Sequence, residues 1–445
     1  MLLLQWCLFV QHFTQQIMRR VTNVSIIFLV FFSGHLQAQK DLPYYIQQAK
    51  NNSPLIQFYK NQIEASGLEN ERLKAFFLKP QVSLTANFLL APIITSDNGK
   101  KQIDWNPYVA EKYRGYDLAA SNGGMYAGLL NVNQPLFNGN RYKVFEQQTL
   151  IDIKAQENNQ LLTEHELEKT VTDQYIQCVL NYRQVEYTEE LLNIINQQEI
   201  NIGELIGRGV ARPSDLSLLV IEQKAQEVSL NKAQSSYRNA LLLLRMMCGL
   251  TDTTYQVVED PNLTMSPDVD QFRFVERYRL DSLTLMANQK IFDLRYKPIT
   301  TLFANTGLNA VDAPTIPDRF GVSTGINFSI TLTDGKQRSI MKHKTEALMK
   351  STRPSITFFN NQNSVRKNKI KEEFNSVSKR LVLMEEELIE FQKLLSYYNL
   401  ELAEGKVTVF NYLAALKSMT VANRDYVSLL TEEELLINEF NYWNW

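Results

Sequence analysis

The sequence predicts a mainly α-helical chain that also contributes strands to a membrane β-barrel and is built as an internal tandem duplication. Three observations predict this architecture. Pairs of glycines recur at one constant spacing along the chain. Short segments alternate apolar and polar residues, as strands with one lipid-facing side do. Long charged stretches with coiled-coil spacing end at glycine-containing turns, which is typical of antiparallel helical hairpins.

Composition and charge exclude several classes of function. The chain has 46 Lys+Arg and 48 Asp+Glu among its 445 residues, so it offers no basic surface for nucleic acid. It has no zinc-ligand spacing, Gly-rich phosphate loop or nucleophile motif. His165 and His343 lie among charged neighbours, which predicts exposed helix faces. We therefore expect no enzyme, no catalytic or metal site and no cofactor.

The first 38 residues have the pattern of an export signal. Arg19 and Arg20 precede an apolar run over residues 24–32, and Ala38 supplies a small residue for cleavage. The alternative is an N-terminal membrane anchor, but the run is shorter than the ~20 residues that a spanning helix needs. We expect a signal peptide over residues 1–38, with either Met1 or Met18 as the start of translation.

The spacing of four glycines indicates the duplication. Gly139 and Gly335 each follow an alternating segment and lie 196 residues apart. Gly209 and Gly405 each interrupt a long charged stretch, and they too lie 196 residues apart. The shared offset predicts a first repeat over residues 39–250, a linker over 251–274 and a second repeat over 275–445.

Each repeat contains two segments with period-two alternation. They predict strands at about 81–91 and 126–137 in the first repeat and at about 299–309 and 320–333 in the second. Pro80 and Pro298, which precede the first strand of each repeat, lie 218 residues apart. The connection between strands is therefore 22 residues longer in the first repeat. Its polar composition predicts a loop at the outer face of a barrel.

Alternation assigns the strand residues to two faces. The residues expected to face lipid are Leu130, Val132, Ile326, Phe328 and Ile330. The residues expected to face the barrel lumen are Asn131, Asn133, Asn327 and Ser329. A soluble β-sandwich with one solvated face would alternate in the same way. However, two isolated strand pairs separated by long helical stretches provide too few strands for a sandwich, which favours the membrane interpretation.

The helical stretches are predicted to fold as hairpins. Residues 140–206 contain no proline, and a continuous helix of that length spans about 100 Å. Cys178 falls in the coiled-coil seam of this helix, so we interpret it as a packing residue. Pro354 lies within the corresponding helix of the second repeat, where we expect a kink or break.

Two hairpin tips are predicted, at residues 207–215 and 403–411. Gly209 and Gly405 can adopt the left-handed conformation that ends a helix. The helix that follows the first tip is expected to be capped by Ser214 or Asp215, since their side chains can accept hydrogen bonds from free amides. Thr408 or Asn411 is the corresponding cap in the second tip.

With these features in this order, the sequence resembles the TolC-like outer-membrane efflux proteins of the Gram-negative cell envelope. The resemblance rests on NNSPLI near the start, QPLFNGNR after a strand, the duplication, and two tips in which glycine precedes Asp215 or Asn411 by six residues. It implies a homotrimer in which each chain contributes four strands to a 12-stranded barrel. It also implies that the helical hairpins form a periplasmic tunnel below the barrel.

The resemblance implies a function and partners as well. The chain is expected to be the exit duct of a tripartite efflux or type I secretion system, working with a periplasmic adaptor (membrane fusion) protein, an inner-membrane transporter and outer-membrane lipid. The alternative is a non-conducting periplasmic coiled-coil structural protein, which would need no apolar strand face. The residues expected to dock the adaptor are Gly209, Val210, Arg212, Asp215, Gly405, Val407, Val409 and Asn411.

One departure from the family affects the expected gating. Members of the family often carry acidic residues just after the second tip. Asn411 and Ala414 occupy those positions here, whereas an acidic residue, Asp215, lies in the first tip. The resemblance therefore gives no basis for a cation gate at the second tip.

Overall fold

The computed structural model describes residues 41–97, 99–104, 113–115, 124–269 and 272–445. The expected signal peptide lies outside the described residues. The chain divides into two compact units, and each takes segments from both sequence repeats. The first unit contains residues up to Asn52, Leu167–Thr264 and Ser376–Asn438. The second contains Ser53–Glu166, Met265–Asn375 and Glu439–Trp445.

Long α-helices dominate the described chain. In the first repeat they are α1 (Leu42–Asn52), α2 (Pro54–Leu78), α3 (Gly139–Gly207) and α4 (Pro213–Met247). In the second they are α5 (Glu276–Asp293), α6 (Gln337–Met349), α7 (Thr352–Ala403) and α8 (Val409–Trp443). Short 3-10 turns occupy Arg273–Val275, Leu294–Tyr296 and Ala313–Asp318. Helix α3 runs for 69 residues without interruption, which confirms that prediction.

None of the helices in the described ranges has the length and apolar character needed to cross a membrane.

The second repeat breaks its long helix near Pro354. Helix α6 ends at Met349 and α7 begins at Thr352, so Pro354 lies in the first turn of α7. In a continuous helix the proline ring would clash with the carbonyl of Lys350, four residues earlier. The predicted break is confirmed, and it lies just before the proline.

Seven strands are described, in chain order β1 (Gln81–Leu90), β2 (Ile93–Asp97), β3 (Lys100–Asp104), β4 (Tyr113–Arg114), β5 (Gly124–Leu136), β6 (Ile299–Ala310) and β7 (Phe320–Ser329). The main sheet has the order β1-β5-β6-β7, and its neighbouring strands are antiparallel. Each repeat contributes one pair of neighbouring strands to it, and the pairing of β5 with β6 joins the two repeats.

The two strand pairs share one register. Leu84 lies opposite Leu130 in the first repeat, and Leu302 lies opposite Ile326 in the second. Leu302 follows Leu84 by 218 residues and Ile326 follows Leu130 by 196, which are the two offsets found in the sequence. The duplication therefore extends to the hydrogen-bonded pairing of individual residues.

Strand β7 is shorter than predicted. The alternation extends to residue 333, whereas the strand ends at Ser329. Ser329 lies opposite Ile299, the first residue of β6, and Pro298 before it has no amide hydrogen to continue the pairing. Ile330 consequently lies one residue beyond the paired strand.

The long connection of the first repeat is only partly a loop. Strands β2, β3 and β4 form a second sheet in the order β3-β2-β4. The β2–β3 turn contains Gly99, whose φ of 77° suits glycine. The Asn-Gly dipeptide at residues 98–99 is a strong hairpin signal that the prediction of a polar loop overlooked.

The first unit contains two hydrophobic clusters. Cys178 is fully buried in one of them, together with Tyr175 and Tyr237, which confirms its interpretation as a packing residue. The hydroxyls of the two tyrosines donate to the backbone carbonyls of Glu259 and Gln256 respectively. These bonds hold the linker against the helices, although residues 251–264 form no helix or strand.

Candidate channel wall and helical tips

The main sheet presents one apolar face that is exposed in the single chain. Because directly opposite residues of antiparallel strands point to the same side, the register places side chains from all four strands on this face. Its large apolar members include Val82, Leu84, Phe88, Leu90, Leu130, Val132, Leu302, Leu308, Phe320, Val322, Ile326 and Phe328. Leu84 is 77% exposed and Phe328 is 66% exposed. Apolar residues of both repeats therefore share one solvent-accessible surface.

The opposite face carries a polar row across the whole sheet. Ser83, Asn131, Asn305 and Ser323 occupy successive strands at directly opposite positions. The Asn131 amide donates to Thr85 Oγ1 at 2.9 Å, and Ser323 Oγ donates to Asn305 Oδ1 at 2.6 Å. Hydroxyl and amide groups thus hydrogen-bond along this face.

Three further predicted lumen residues lie on the same polar face. Asn133 lies opposite Phe303, Asn327 opposite Thr301, and Ser329 opposite Ile299. The four described strands of the main sheet contain no Asp, Glu, Lys, Arg or His. The polar face of the sheet is therefore electrically neutral.

The sheet has two open edges within the described part of the chain. Strands β1 and β7 each pair on one side only. The outer side of each strand consequently leaves backbone N–H and C=O groups available for another strand.

The two helical tips have the same backbone geometry. Val210 N donates to Leu205 O at 2.9 Å in the first tip, and Lys406 N donates to Glu401 O at 2.9 Å in the second. These bonds require a left-handed residue just before the donor, and Gly209 and Gly405 have φ values of 76° and 71°. The predicted left-handed glycines are confirmed in both repeats.

The helices that follow the tips are capped by different groups. The Asp215 carboxylate accepts a hydrogen bond from the Arg212 amide at 3.0 Å. In the second tip, Thr408 Oγ1 accepts from the Asn411 amide at 3.3 Å. Asp215 and Thr408 are thus the capping side chains, each one of the two candidates predicted at its tip.

The tips also contact each other. A β-carbon at Gly405 would lie 3.2 Å from Val210 Cγ1. A cavity of about 210 Å³ adjoins this contact, and Arg212, Val407 and Thr408 contribute to its lining. Val210 is about half exposed and Val407 half-buried, while Arg212 is exposed. The two turns therefore form one composite surface drawn from both repeats.

Comparison with solved structures identifies the fold. VceC, an outer membrane protein of Vibrio cholerae, matches with a TM-score of 0.64 and 14% identity over 91% of this chain and 96% of that chain. The MtrE outer membrane channel of Neisseria gonorrhoeae, in its open state, matches with a TM-score of 0.62 and 12% identity over 91% and 88%. The chain has a TolC-like fold of long helices and antiparallel strands. This confirms the combination of long helices and antiparallel strands that the resemblance implied, while the trimeric barrel stays a prediction.

A third match concerns a protein studied for its folding. CusC, whose structures report conformational changes accompanying folding and transmembrane channel formation, matches with a TM-score of 0.66 and 12% identity over 91% of this chain and 92% of that chain. No protein-family model and no curated protein matches the sequence.

One predicted docking residue, Val409, is buried rather than exposed. Val409 is only 3% exposed, because it packs in the cluster beneath the tips with Leu402 and Leu413. The prediction that Val409 is a surface contact is therefore wrong. Its neighbour Phe410 is 67% exposed and was missed by the sequence reasoning. Asn411 is also exposed.

The two histidines differ in environment. His343 is exposed, as predicted. His165 is partly buried, with its ring stacked against Trp445 at a centroid distance of 4.1 Å. Its Nε2 lies 2.9 Å from Tyr442 O and donates to that carbonyl. The prediction of an exposed face is thus wrong for His165, because aromatic residues distant in sequence cover it. Within the described ranges, no group of three or more His, Cys, Asp or Glu could hold a metal ion.

Each compact unit contains an ionic group that the sequence reasoning missed. In the first unit, Arg183 Nη2 contacts Glu434 Oε1 at 3.1 Å and Asp260 Oδ1 at 2.8 Å. Burial raises the pKa of the Glu434 carboxyl, and the positive charge of Arg183 opposes that shift. In the second unit, the largely buried Lys367 contacts Asp268 Oδ1 at 3.0 Å and Asn444 Oδ1 at 2.9 Å. No local sequence pattern identifies these pairs, since their partners come from distant segments.

Proposed function

We propose that the chain is an outer-membrane exit duct that passively conducts substrates from an inner-membrane transporter and a periplasmic adaptor to the outside. The observation that carries this proposal is the main sheet, which combines one exposed apolar face with one neutral polar face. A strand that separates lipid from water needs this division. An ordinary soluble protein rarely exposes so large a contiguous apolar surface.

The open edges of the sheet support an oligomer. Within lipid, unpaired backbone groups cost several kcal/mol each, so a spanning sheet must close. The smallest membrane barrels have about eight strands, and four strands from one chain are too few. Three copies of the chain would supply a closed 12-stranded barrel in which β1 of one copy pairs with β7 of the next.

Exposed apolar residues on the helices support the same conclusion. On α4, Ile221 and Val228 are seven residues apart and are 66% and 71% exposed. On α7, Val382 and Ile389 have the same spacing and are also exposed. Heptad spacing is typical of helices that pack against partner helices. A homotrimer would cover these side chains with helices of neighbouring copies.

The composite tip is the proposed docking surface for the adaptor. Val210 and Arg212 of the first tip and Phe410 and Asn411 just after the turn of the second expose apolar, cationic and amide groups, while Gly209 and Gly405 set the turn geometry. Asp215 and Val407 are partly buried and form the remaining part of the same proposed surface. An adaptor with carboxylates or backbone carbonyls at its own tip could accept hydrogen bonds from Arg212.

Two measurements on one preparation test the proposal. Protein purified from outer membranes in detergent should be a trimer by light scattering, and the same sample should form conducting pores in planar bilayers. Conduction without any energy source would agree with a passive duct. A monodisperse monomer that stays soluble without detergent would instead support the non-conducting coiled-coil protein.

A further inference from the structure

The small sheet formed by β2, β3 and β4 has two unlike faces. Along β2, Ile93 and Thr95 are buried, whereas Ile94 and Ser96 are exposed. Because side chains alternate along a strand, one face of this sheet is packed and the other is open. The register extends the open face to Lys101 and Ile103 of β3 and to Arg114 of β4. We call these five residues, Ile94, Ser96, Lys101, Ile103 and Arg114, the open hairpin face.

The open hairpin face combines positive charge with exposed apolar groups. Ile103 is 73% exposed and Ile94 is 48% exposed. They lie opposite each other, and Arg114 lies opposite Ile94 on the other side of β2. Lys101 pairs with Ser96 one row further along the hairpin. The described residues of this face include two cations and no Asp or Glu.

The face lies close in the chain to the apolar side of the main sheet. Leu90 is the last residue of β1, and Ile94 follows it by four residues. Four residues of extended chain span at most about 14 Å. Strand β1 carries Leu84 and Phe88 on the apolar face, so the small sheet begins within a short distance of the proposed lipid-facing surface.

We propose that the open hairpin face binds the phosphate-bearing headgroups of the outer leaflet. Lys101 and Arg114 pair with lipid phosphates, and Ile94 and Ile103 contact the apolar region just below them. Cations attract anionic headgroups, and exposed aliphatic side chains gain from leaving water at the same interface. The inference rests on the proposed function, since it requires the main sheet to lie in the membrane.

Fluorescence quenching by lipid can test this contact in the full-length protein carrying Cys7→Ser, which removes the cysteine of the expected signal peptide. A fluorophore is attached at Ile103→Cys, and Gln102→Cys provides the matched control on the other face of the same strand. Burial raises the pKa of Cys178 to about 12 and that of Cys248 to about 11, which keeps both thiols unreactive toward the label. The trimers are reconstituted in phosphatidylcholine alone or in an equimolar mixture with phosphatidylglycerol. Both vesicle types contain a lipid with a nitroxide quencher on its headgroup.

The label at residue 103 should be quenched more strongly than the label at residue 102, and the difference should grow in the anionic vesicles. Lys101→Glu combined with Arg114→Glu should abolish this increase in the quenching difference between neutral and anionic vesicles. Lys100→Glu is the charge control, because Lys100 lies on the opposite face of the hairpin. It should leave the increase in the quenching difference unchanged. Equal quenching at residues 102 and 103, or an equal effect of Lys100→Glu and of the Lys101→Glu/Arg114→Glu variant on quenching in the anionic vesicles, would overturn the inference.

A third label separates this inference from the proposed function. A fluorophore at Phe328→Cys reports whether the main sheet faces lipid, by its quenching with brominated acyl chains. Quenching at residue 328 without headgroup contact at residue 103 would refute the headgroup interaction and leave the membrane duct in place. Absence of quenching at residue 328 would refute the membrane placement of the sheet itself.

Discussion

Asn131 of the first repeat and Asn305 of the second lie directly opposite each other on neighbouring strands. This pair lies at the junction of the two repeats, and both side chains belong to the polar face. Because side chains alternate strictly along a strand, this one pairing fixes the face of every other residue in β5 and β6. Asn305 also lies opposite Ser323, which extends the same face assignment to β7.

The two faces of β7 should respond differently to a charge. Phe328→Arg should destabilise the assembled barrel because it places a cation against the hydrocarbon, but by less than the roughly 2 to 4 kcal/mol expected at the midplane, since Phe328 is the next-to-last residue of β7. Asn327→Arg, one residue away, should leave assembly unchanged and alter pore conductance. Trimer yield and single-channel conductance measure the two effects. Equal loss of trimers in both variants would mean that the face assignment is wrong.

The exposed tip should be needed for export and dispensable for folding. Arg212→Glu reverses an exposed charge in the proposed docking surface, so we expect cells to lose export while trimer abundance in the outer membrane stays the same. Arg238→Glu is the control, because Arg238 is exposed on α4, the helix that follows the tip, about 39 Å from Arg212. Immunoblots of trimers alongside an export assay give both readouts. Full export by the Arg212 variant would place docking elsewhere.

Val409 should matter for stability because its side chain is buried beneath the tips. Val409→Asp places an unpaired charge in this cluster, and we expect a loss of about 3 kcal/mol or more. Phe410→Asp provides the neighbouring control, since Phe410 is exposed and should tolerate the charge. Thermal unfolding followed by circular dichroism compares the two variants. If both unfold at the wild-type temperature, Val409 is not a core residue.

The half-buried Glu434 should make stability depend on pH. Its pKa is raised in the folded chain, so the folded state takes up a proton more readily than the unfolded state. The resulting stability is fully present below the unfolded pKa and is lost as the pH rises through the folded pKa. The wild-type chain should therefore gain stability relative to Glu434→Gln as the pH falls from neutral towards the ordinary carboxyl value of 4.5. Denaturant unfolding at several pH values measures this difference, and a constant difference would contradict the assignment.

Local patterns in the sequence were sufficient to predict the turns and the strand faces, because these features depend only on neighbouring residues. Gly209 and Gly405 marked the tips because a left-handed residue has few alternatives to glycine. Period-two alternation separated Asn327 from Phe328 for a similar reason, since strand geometry sends adjacent side chains to opposite faces. The strand hairpin at residues 93–104 was equally local, and its Asn-Gly turn could have been recognised.

The helices, the tips and the strand faces could be predicted before the structure was known, because residues close together in the chain set the backbone geometry of each, and the duplication followed from their constant spacing. Three findings could not be predicted in this way: Val409 is buried while Phe410 is exposed, Trp445 covers His165, and Arg183 contacts Glu434. Each of those outcomes depends on which distant segments pack together. Helical periodicity gives every helix a possible buried side, but the identity of the covering residues is set only when the chain folds.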